Sequence, residues 1–470
     1  MQSCIDAMNA TTAVPAGHSR NEMRDKIIQT MLSMMALQPK SSECQYKVDL
    51  FTSNGIEDIG SVIANVCILY TTTTAIPTYM IPLIMSWTTH PSKYTAFQVK
   101  ALLSHLISVG RIDVDEVLNV ALESQSLSED AFLGVLFGQA VGDAVGLPVE
   151  GHGRDVCIPY VENVVKKQIV SPMHRHNFTF GQYSDDTQLT REMYLTLLQG
   201  RGKIDPAVYG LRMSLLFQPD AYRIVGYGGV CARALESIRM GAHYTESGCV
   251  GQGNGALMRS SCLGALLNGK PTQEIIKVAR LMAAITHISP ASIDGSVAIA
   301  LAANYAIATR HVPFTLATRS HFIEFIASSH QYESPDFAKY VRELHELVKQ
   351  TWQDASKRIN EIGVSNKESR WGDGISAGPR QTALWALWCY LKSPDSYVDC
   401  IANAIIVGGD VDTTAATVGG IIGGRMGASC IPAVWIQSLH DYADWKTEQL
   451  LDMGKKAFKY VDENKVTVSF

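Results

Sequence analysis

Two short acidic segments carry side chains whose types and spacing could do chemistry. Ser184–Thr187 reads Ser-Asp-Asp-Thr, and Asp410–Thr413 reads Asp-Val-Asp-Thr. Each segment follows polar turn residues and precedes a helical pattern, so capping of a helix would explain either one alone. Two segments that each crowd like charges together favour a second interpretation, because a hard cation relieves the repulsion between carboxylates.

The oxygen atoms of both segments form a typical ligand set for hard cations. With no histidine or cysteine among them, the set suits magnesium, calcium or manganese and not zinc. Four carboxylates can hold two such ions close together, where the ions polarise an oxygen of the substrate. An EF-hand is excluded, because neither segment continues into a loop with the required distal glutamate. The predicted metal ligands are Ser184, Asp185, Asp186, Asp410, Asp412 and Thr413.

Two further segments could bind or act on a substrate. Gly142–Glu150 ends in a carboxylate, and the flanking Pro148 and Gly151 indicate that Glu150 lies in a turn facing a cleft. Gly251–Arg259 predicts bare backbone N–H groups at a helix start, which could cradle a diphosphate. Its spacing fits neither a Rossmann fingerprint nor a P-loop. The predicted ligand-binding residues of this loop are Gly251, Gly253, Asn254 and Gly255.

His287 is a more ambiguous candidate. A single histidine in an apolar stretch is more often a hydrogen-bonded core residue than a functional one. Ser289 and Pro290 indicate a helix break beside His287, which favours a place in the site. The sequence has no Gly-x-Ser-x-Gly or His-Glu-x-x-His motif, and nothing marks a particular cysteine as a nucleophile.

The elements that must position these residues are predicted to be helices. From Phe132 onward, long apolar helical stretches alternate with glycine-rich loops, and strand-like alternation is scarce. Glycine recurs every four residues in two stretches, although an interior glycine destabilises a helix by about 0.5–1 kcal/mol relative to alanine. We therefore predict two helices whose backbones approach closely at the centre of the catalytic domain; two unrelated small-residue faces are the alternative. The stripes are Gly134, Gly138, Gly142 and Gly146, and Gly419, Gly423 and Gly427.

Composition limits the class of protein. The 470 residues carry a net charge of −5 without a basic stripe, which argues against a nucleic-acid partner. The ten cysteines show no Cys-x-x-Cys spacing, and no secretory signal opens the chain, so we expect reduced thiols and a cytoplasmic protein, or one delivered to a host cytosol. Ile59–Thr89 lacks charge, but Pro77 and Pro82 interrupt it, which favours buried helices over a membrane span.

Changes in composition and helical pattern along the chain predict three regions. Residues 1–20 are expected to form a flexible tail, and residues 21–125 a helical module that recognises a partner or substrate, with a helix capped by Asn21. Residues 126–470 would form the catalytic domain, opened by Ser126 and Glu129 at capping-box spacing. Within that domain, residues 311–374 are more polar and are predicted to be a surface insertion with amphipathic helices.

Taken together, these segments resemble the ADP-ribosylglycohydrolase family over roughly residues 132–460. The resemblance implies an all-α orthogonal bundle with an added N-terminal helical module, and a cleft holding two Mg²⁺ ions, for which Mn²⁺ could substitute. It also implies hydrolysis of an N- or O-glycosidic bond at C1″ of ADP-ribose, with the ions binding the 2″- and 3″-hydroxyls. The six predicted ligands match the two ligand groups of the family.

The resemblance also assigns roles to other residues. Glu150 matches a position that acts in catalysis, and Asp185 or Glu150 would take the proton of the attacking water. Asn254 and its glycines match the loop that holds the diphosphate, and His287 matches a residue near the sugar. Ser184 replaces the family's more frequent threonine and keeps its hydroxyl. Gly374–Gly378 lacks the aromatic residue that other members place near the adenine, and Trp371 or Tyr227 could replace it.

The expected function is removal of ADP-ribose from an ADP-ribosylated protein. We expect arginine as the linkage, because the Gly253–Arg259 loop and Gly142–Glu150 resemble the bacterial branch of the family more than the serine-linkage branch. A different linkage is one alternative. Another is an immunity or binding protein that blocks an ADP-ribosyltransferase toxin through residues 1–125. A non-catalytic relative is a third, against which the intact acidic set argues.

Overall fold

The computed structural model describes only part of the chain. Its described residues are 81, 84–85, 88, 93–110, 112–124, 127–171, 173, 178–216, 227–329, 331–362, 371–441 and 444–470. The predicted tail of residues 1–20, the helix expected after Asn21 and nearly all of Ile59–Thr89 lie outside them. Ser126 lies outside them too.

Helices dominate the described residues. In chain order they are α1 Lys93–Ser108, α2 Val114–Ser124, α3 Glu129–Gly146, α4 Arg154–Tyr160, α5 Asp185–Gln199, α6 Pro206–Leu216, α7 Gly229–Arg239, α8 Ser261–Leu266, α9 Thr272–Ala284, α10 Pro290–Ala308, α11 Leu316–Ser328, α12 Phe337–Leu347, α13 Trp352–Ile362, α14 Pro379–Lys392, α15 Tyr397–Ile406, α16 Val411–Met426, α17 Ala433–Gln437 and α18 Thr447–Asp462. Two short strands, β1 Lys203–Ile204 and β2 Thr467–Val468, pair in parallel. The all-α prediction is confirmed.

The chain divides into two compact units. The first comprises Met1–Glu123 with His311–Thr318, and its described helices α1 and α2 bury apolar residues such as Leu103 and Leu118. The second comprises Ser124–Arg310 and Arg319–Phe470, and it contains all the candidate site residues. The three regions predicted from the sequence, and the role assigned to the N-terminal region, stay predictions.

The centre of the second unit is the crossing of α3 and α16. A Cβ atom built on Gly134 would lie 2.1 Å from the carbonyl oxygen of Gly423, and one on Gly138 would lie 2.2 Å from that of Gly419. The two helices therefore touch backbone to backbone and run antiparallel, which confirms the predicted close approach. Gly427 is the last residue of the stripe: a Cβ atom on Gly134 would lie 2.9 Å from its carbonyl carbon, and with φ +85 Gly427 ends α16, a conformation that glycine adopts without strain.

Residue Ser128, and not Ser126, caps the first helix of this unit. Its side chain accepts a hydrogen bond from the backbone N–H of Ala131 at 3.1 Å, three residues on, as an N-cap must. From Ala131 to Gly146 every residue of α3 is buried. This full burial explains why no polar face is visible in the sequence of α3 and why its close packing depends on small residues.

Two described helical segments are long and apolar enough to cross a membrane. They are Glu129–Val149 and Pro290–Ala308, whose most apolar windows are 100% and 89% buried inside the protein. Such burial is typical of core helices, which satisfy the same criteria of length and composition.

Candidate metal centre

The first acidic segment is held in place from two sides. Ahead of α5, the backbone N–H of Tyr183 donates to the carbonyl of His440 at 3.1 Å, and that of His440 donates to Gly181 at 3.0 Å. Ser184 is then the N-cap of α5, where its hydroxyl oxygen accepts a hydrogen bond from the N–H of Asp186. The segment thus enters the helix as the pattern of polar turn residues predicted.

Asp143 on α3 anchors the same segment from the core. Its carboxylate accepts hydrogen bonds from the N–H of Ser184 at 2.9 Å, from the N–H of Thr187 at 3.1 Å and from the Thr187 hydroxyl at 2.6 Å. Asp143 is fully buried, and this capping of α5 offsets part of the cost of burying its charge. Asp143 was not singled out from the sequence as a site residue; an acid directly after Gly142 was the available signal.

The second acidic segment follows two glycines at which the backbone turns sharply. Gly408 and Gly409 have φ values of +77 and +92, which side chains other than glycine rarely adopt. The N–H of Asp410 then donates to Ile375 at 2.8 Å, while the carbonyl of Gly409 accepts from the N–H of Gly151 at 2.8 Å. This second contact ties the Glu150 turn to the start of α16, so Glu150 lies beside the second segment.

The two acidic segments meet. The hydroxyls of Ser184 and Thr413 donate to the same oxygen of Asp186, at 3.0 Å and 3.4 Å. Candidate ligand oxygens gather in two groups, each with all its atoms within 4.8 Å of one another: Asp143, Asp186 and Asp412 in one, and Glu150, Asp410 and Asp412 in the other. Asp412 is the one described residue that belongs to both groups.

Asp185 belongs to neither group, although it was predicted as a metal ligand. It is buried at 5% exposure, and desolvation together with the charges of Asp143 and Asp412 raises its pKa well above the usual range. Its carboxylate therefore lies within the field of the cluster without joining the close contacts.

The electrostatics of the cluster fit a divalent cation. Burial, with the charges of Asp143 and Asp412 adding to it, raises the pKa of Asp186 well above the usual range. The Oδ1 atom of Asp186 is buried and has no hydrogen-bond partner among the described residues. An orphaned carboxylate oxygen surrounded by further carboxylates and hydroxyls is the environment that a hard cation stabilises.

Without divalent cations, the protein is expected to lose stability as pH rises. Burial raises the pKa of Asp143 from 3.8 to about 6, and the pKa values of Asp185 and Asp186 are also raised. A group with a raised folded-state pKa stabilises the fold below its unfolded pKa, and this contribution is lost as pH rises through the folded pKa. The loss starts near pH 4, is complete for Asp143 near pH 6, and continues at higher pH for Asp185 and Asp186.

A thermal melt in EDTA and in Mg²⁺ at pH 6.5 and pH 8 measures this effect. Between pH 6.5 and pH 8, the buried, neutral His287 contributes little to the change in stability, because its lowered pKa destabilises the folded protein only below about pH 6.5. We expect the melting temperature in EDTA to be lower at pH 8 than at pH 6.5, and Mg²⁺ to raise it more at pH 8 than at pH 6.5. A melting temperature in EDTA that rises with pH would contradict the assignment.

The glycine loop lies against the second acidic segment. The Asn254 amide donates to Oδ2 of Asp410 at 2.6 Å and to the Thr382 hydroxyl at 3.0 Å. The sequence predicted that the loop leads into the start of a helix. In the structure a single 3₁₀ turn, Leu257–Arg259, comes first, and the six-residue α8 follows it. The carbonyl of Asn254 accepts the N–H groups of Leu257 and Met258, so those two groups are not free for a ligand.

The structure brings His287 to this loop. A Cβ atom built on Gly253 would lie 3.2 Å from Nε2 of the imidazole, and one on Gly255 would lie 3.1 Å from its Cε1. Burial, with the charges of Arg259 and Arg233, lowers the pKa of His287 to about 3, so the ring is neutral at pH 7. His287 is thus both a buried, hydrogen-bonded residue and a neighbour of the predicted ligand loop.

Gln139 connects the parts of the centre and was not identified from the sequence. Its amide nitrogen donates to the carbonyls of Asp186 at 3.1 Å and Met258 at 3.0 Å, and its amide oxygen accepts from the Ser261 hydroxyl at 2.7 Å. One side chain of α3 therefore joins the start of α5 to the 3₁₀ turn and to α8. A glutamine within an apolar run was the available signal.

The two aromatic candidates for adenine stacking differ in exposure. Trp371 is only 7% exposed, so little of its ring is open to a ligand, whereas Tyr227 is 38% exposed. Exposure therefore favours Tyr227, and its contact with adenine stays a prediction.

Comparisons with known proteins agree with this architecture. The chain is 26% identical to mouse ADP-ribosylhydrolase ARH3 over 352 residues, covering 68% of this chain and 90% of that protein. It is 25% identical over 330 residues to ADP-ribosylarginine hydrolase Tri1 of Serratia proteamaculans, covering 67% and 76%. A solved structure described as an ADP-ribosylglycohydrolase-related protein complex matches the fold with a TM-score of 0.50 at 22% identity, covering 71% of this chain and 98% of that one. The family model for ADP-ribosylglycohydrolase matches residues 124–466, and the chain belongs to that family.

Proposed function

We propose that this protein is a magnesium-dependent hydrolase that removes ADP-ribose from ADP-ribosylated protein, with arginine as the linked residue. One observation carries the proposal. Two clusters of carboxylate residues share Asp412, and the glycine loop beside them is hydrogen-bonded to Asp410 through Asn254. Membership of the ADP-ribosylglycohydrolase family supports hydrolysis of an ADP-ribose linkage. A cluster of oxygen ligands alone would suit many functions, and the adjoining loop is what adds a place for a nucleotide.

The proposed metal ligands are five of the six named from the sequence, Ser184, Asp186, Asp410, Asp412 and Thr413; the sixth, Asp185, lies outside both close groups. When bound, Mg²⁺ or Mn²⁺ supplies positive charge that orients the ribose hydroxyls and favours ionisation of water. Asp143 accepts four hydrogen bonds from Ser184 and Thr187, so we assign it to positioning of α5 and not to metal binding.

The protein's own groups then have distinct tasks. Asp185 lies outside both close groups, so its carboxylate is the better placed to take a proton from the attacking water. Glu150 lies in one cluster with Asp410 and Asp412, where its carboxylate can orient the ribose and the neighbouring metal ligands. The glycine loop, with Asn254 and His287, would hold the diphosphate and the adjoining sugar, so that C1″ is directed toward the carboxylates.

Two observations support arginine as the linkage. A relative with 25% identity is named an ADP-ribosylarginine hydrolase, and the Gly253–Arg259 loop resembles the bacterial branch of the family. The mouse relative's name, ADP-ribosylhydrolase, leaves the linkage open. We therefore propose arginine first and serine as the alternative.

Release of ADP-ribose from two matched peptides tests the proposal. One peptide carries ADP-ribose on arginine and the other on serine, and each is incubated with the full chain in EDTA, Mg²⁺ or Mn²⁺. We expect release in Mg²⁺ and Mn²⁺ but not in EDTA, and at least about 10-fold faster release from arginine, since substrate discrimination by a polar site commonly reaches that size. Faster release from serine would overturn the linkage, and no release from either would overturn the function.

The region before the family match leaves room for a second function. The match begins at residue 124, so 123 residues precede it. A chain that blocks an ADP-ribosyltransferase through this region would inhibit the transfer reaction even when its own hydrolysis is disabled. The full chain carrying Asp412→Asn separates the two functions, because inhibition by that variant requires binding and not turnover.

The expected location is a reducing compartment such as the cytoplasm. Every cysteine that the structure describes is a free thiol, including the buried Cys262, Cys389 and Cys400. Free thiols support this proposal, since disulfides are rare in reducing compartments.

A further inference from the structure

His287 lies at the end of a chain of buried polar groups. Arg259 donates through Nη2 to the hydroxyl oxygen of Thr286 at 2.7 Å, and that hydroxyl lies 2.8 Å from Nδ1 of His287. The three residues are 2%, 0% and 1% exposed, so water does not compete for these bonds. These hydrogen bonds connect Arg259, at the end of the glycine loop, to the imidazole ring of His287, which lies against the loop.

The direction of the hydrogen bonds follows from the chemistry of the groups. A guanidinium has only donors, so Thr286 must accept from Arg259. The Thr286 hydroxyl has one proton of its own, and Nδ1 of His287 is the only acceptor that the described residues offer it. Nδ1 therefore accepts. If Nδ1 donated instead, the Thr286 proton would be buried without an acceptor, which costs about 1–3 kcal/mol.

A neutral imidazole that accepts at Nδ1 must carry its hydrogen on Nε2. That atom faces the glycine loop, where Gly253 has no side chain to cover it. Among the described residues Nε2 has no hydrogen-bond partner. Burial and the nearby arginines, which lower the pKa of His287 to about 3, oppose a second proton on the ring.

We propose that Arg259 and Thr286 are positioning residues that hold His287 as the Nε2–H tautomer, so that the ring presents an uncharged donor to an oxygen of the ligand on the glycine loop. The ligand class, a phosphate or sugar oxygen of ADP-ribose, rests on the proposed function. The tautomer itself does not, because it follows from contacts within this chain.

The tautomer is measurable in the free protein. A two-bond ¹H–¹⁵N correlation spectrum of the ¹⁵N-histidine-labelled full chain at pH 7 distinguishes a protonated ring nitrogen from an unprotonated one, and His287→Gln identifies the signals. We expect protonation at Nε2 alone. Protonation at Nδ1, at both nitrogens, or in a mixture of the two neutral forms would overturn the proposal without any variant having to fold.

A pair of substitutions tests the positioning role. Thr286→Val keeps the shape but removes the hydroxyl, and Thr286→Ser keeps the hydroxyl. Valine is expected to give a mixed tautomer and to raise the Kd of ADP-ribose in Mg²⁺ by about 10-fold, the size of one lost hydrogen bond, while serine retains the tautomer and stays within about 2-fold of the original.

The outcomes separate this proposal from the proposed function. If the unsubstituted protein does not bind ADP-ribose by calorimetry, the proposed function fails while the tautomer can still be read. If it binds ADP-ribose and Thr286→Val neither changes the tautomer nor weakens binding, the positioning role is wrong and the function stands.

Discussion

Replacement of Asp412 by asparagine is expected to lower kcat/KM for ADP-ribose release by about 1,000-fold or more, the size seen when a central electrostatic group is removed from a site. Asp412 contributes an oxygen to both clusters of candidate ligands, so its loss weakens cation binding by both clusters at once. Asparagine has nearly the same shape, so the fold is expected to remain.

Two measurements accompany the rate. Because the substitution removes one of several mutually repelling charges, the melting temperature of Asp412→Asn in EDTA is expected to match or exceed that of the unsubstituted protein. In Mg²⁺, the stabilisation that the original protein gains is expected to be largely absent. A variant that merely misfolds would instead melt at a lower temperature under both conditions.

Asp452→Asn is the matched control. Asp452 lies on α18, is 64% exposed and pairs with Lys456, and surface pairs of this kind contribute little. Its rate and its response to Mg²⁺ are expected to be unchanged. If Asp412→Asn keeps the full rate, the shared carboxylate is not part of the reacting centre and the proposed function loses its central observation.

Substitution of Gly138 by alanine is expected to destabilise the protein by more than about 3 kcal/mol, although the same change in an ordinary helix stabilises it by about 0.5–1 kcal/mol. The added methyl group would lie 2.2 Å from the carbonyl oxygen of Gly419 and 3.1 Å from Cα of Gly423. Both obstacles are backbone atoms of α16, so no side chain can rotate away.

Gly228→Ala provides the control for this prediction, because a Cβ atom at Gly228 would meet nothing within 4 Å. Soluble yield and urea unfolding are the measurements, and Gly228→Ala is expected to stay within about 0.5 kcal/mol of the original protein. A Gly138→Ala protein as stable as this control would show that the crossing can open, and that the glycine stripe is not a requirement of the fold.

The sequence predicted the features that depend on local spacing. Glycines four residues apart share one face of a helix, so the contact of Gly134 and Gly138 with α16 could be anticipated from periodicity. The two acidic segments could be paired because hard cations collect carboxylates, whatever their distance along the chain. Both predictions used side-chain chemistry that is visible within a few residues.

The features that the sequence did not predict depend on partners far away in the chain. Asp143 caps a helix 41 residues later, Gln139 reaches Met258 across 119 residues, and Asn254 reaches Asp410 across 156 residues. A single polar residue in an apolar run does not identify its partner, because the partner is chosen by packing. Even the short 3₁₀ turn after the glycine loop is set by such packing and not by helix propensity.

The backbone contact between α3 and α16 has a consequence for how the reactive centre can change. A Cβ atom at Gly146, the last residue of α3, would lie 2.5 Å from Cα of Asp412, and Asp143 lies one turn earlier on the same helix. The proposed metal ligand Asp412 and the positioning residue Asp143 are therefore carried by the two helices whose backbone contact forms the centre of the second unit. We expect the amides of α3 and the start of α16 to exchange with deuterium only through complete unfolding, so that the spacing of these carboxylates cannot change while the protein stays folded.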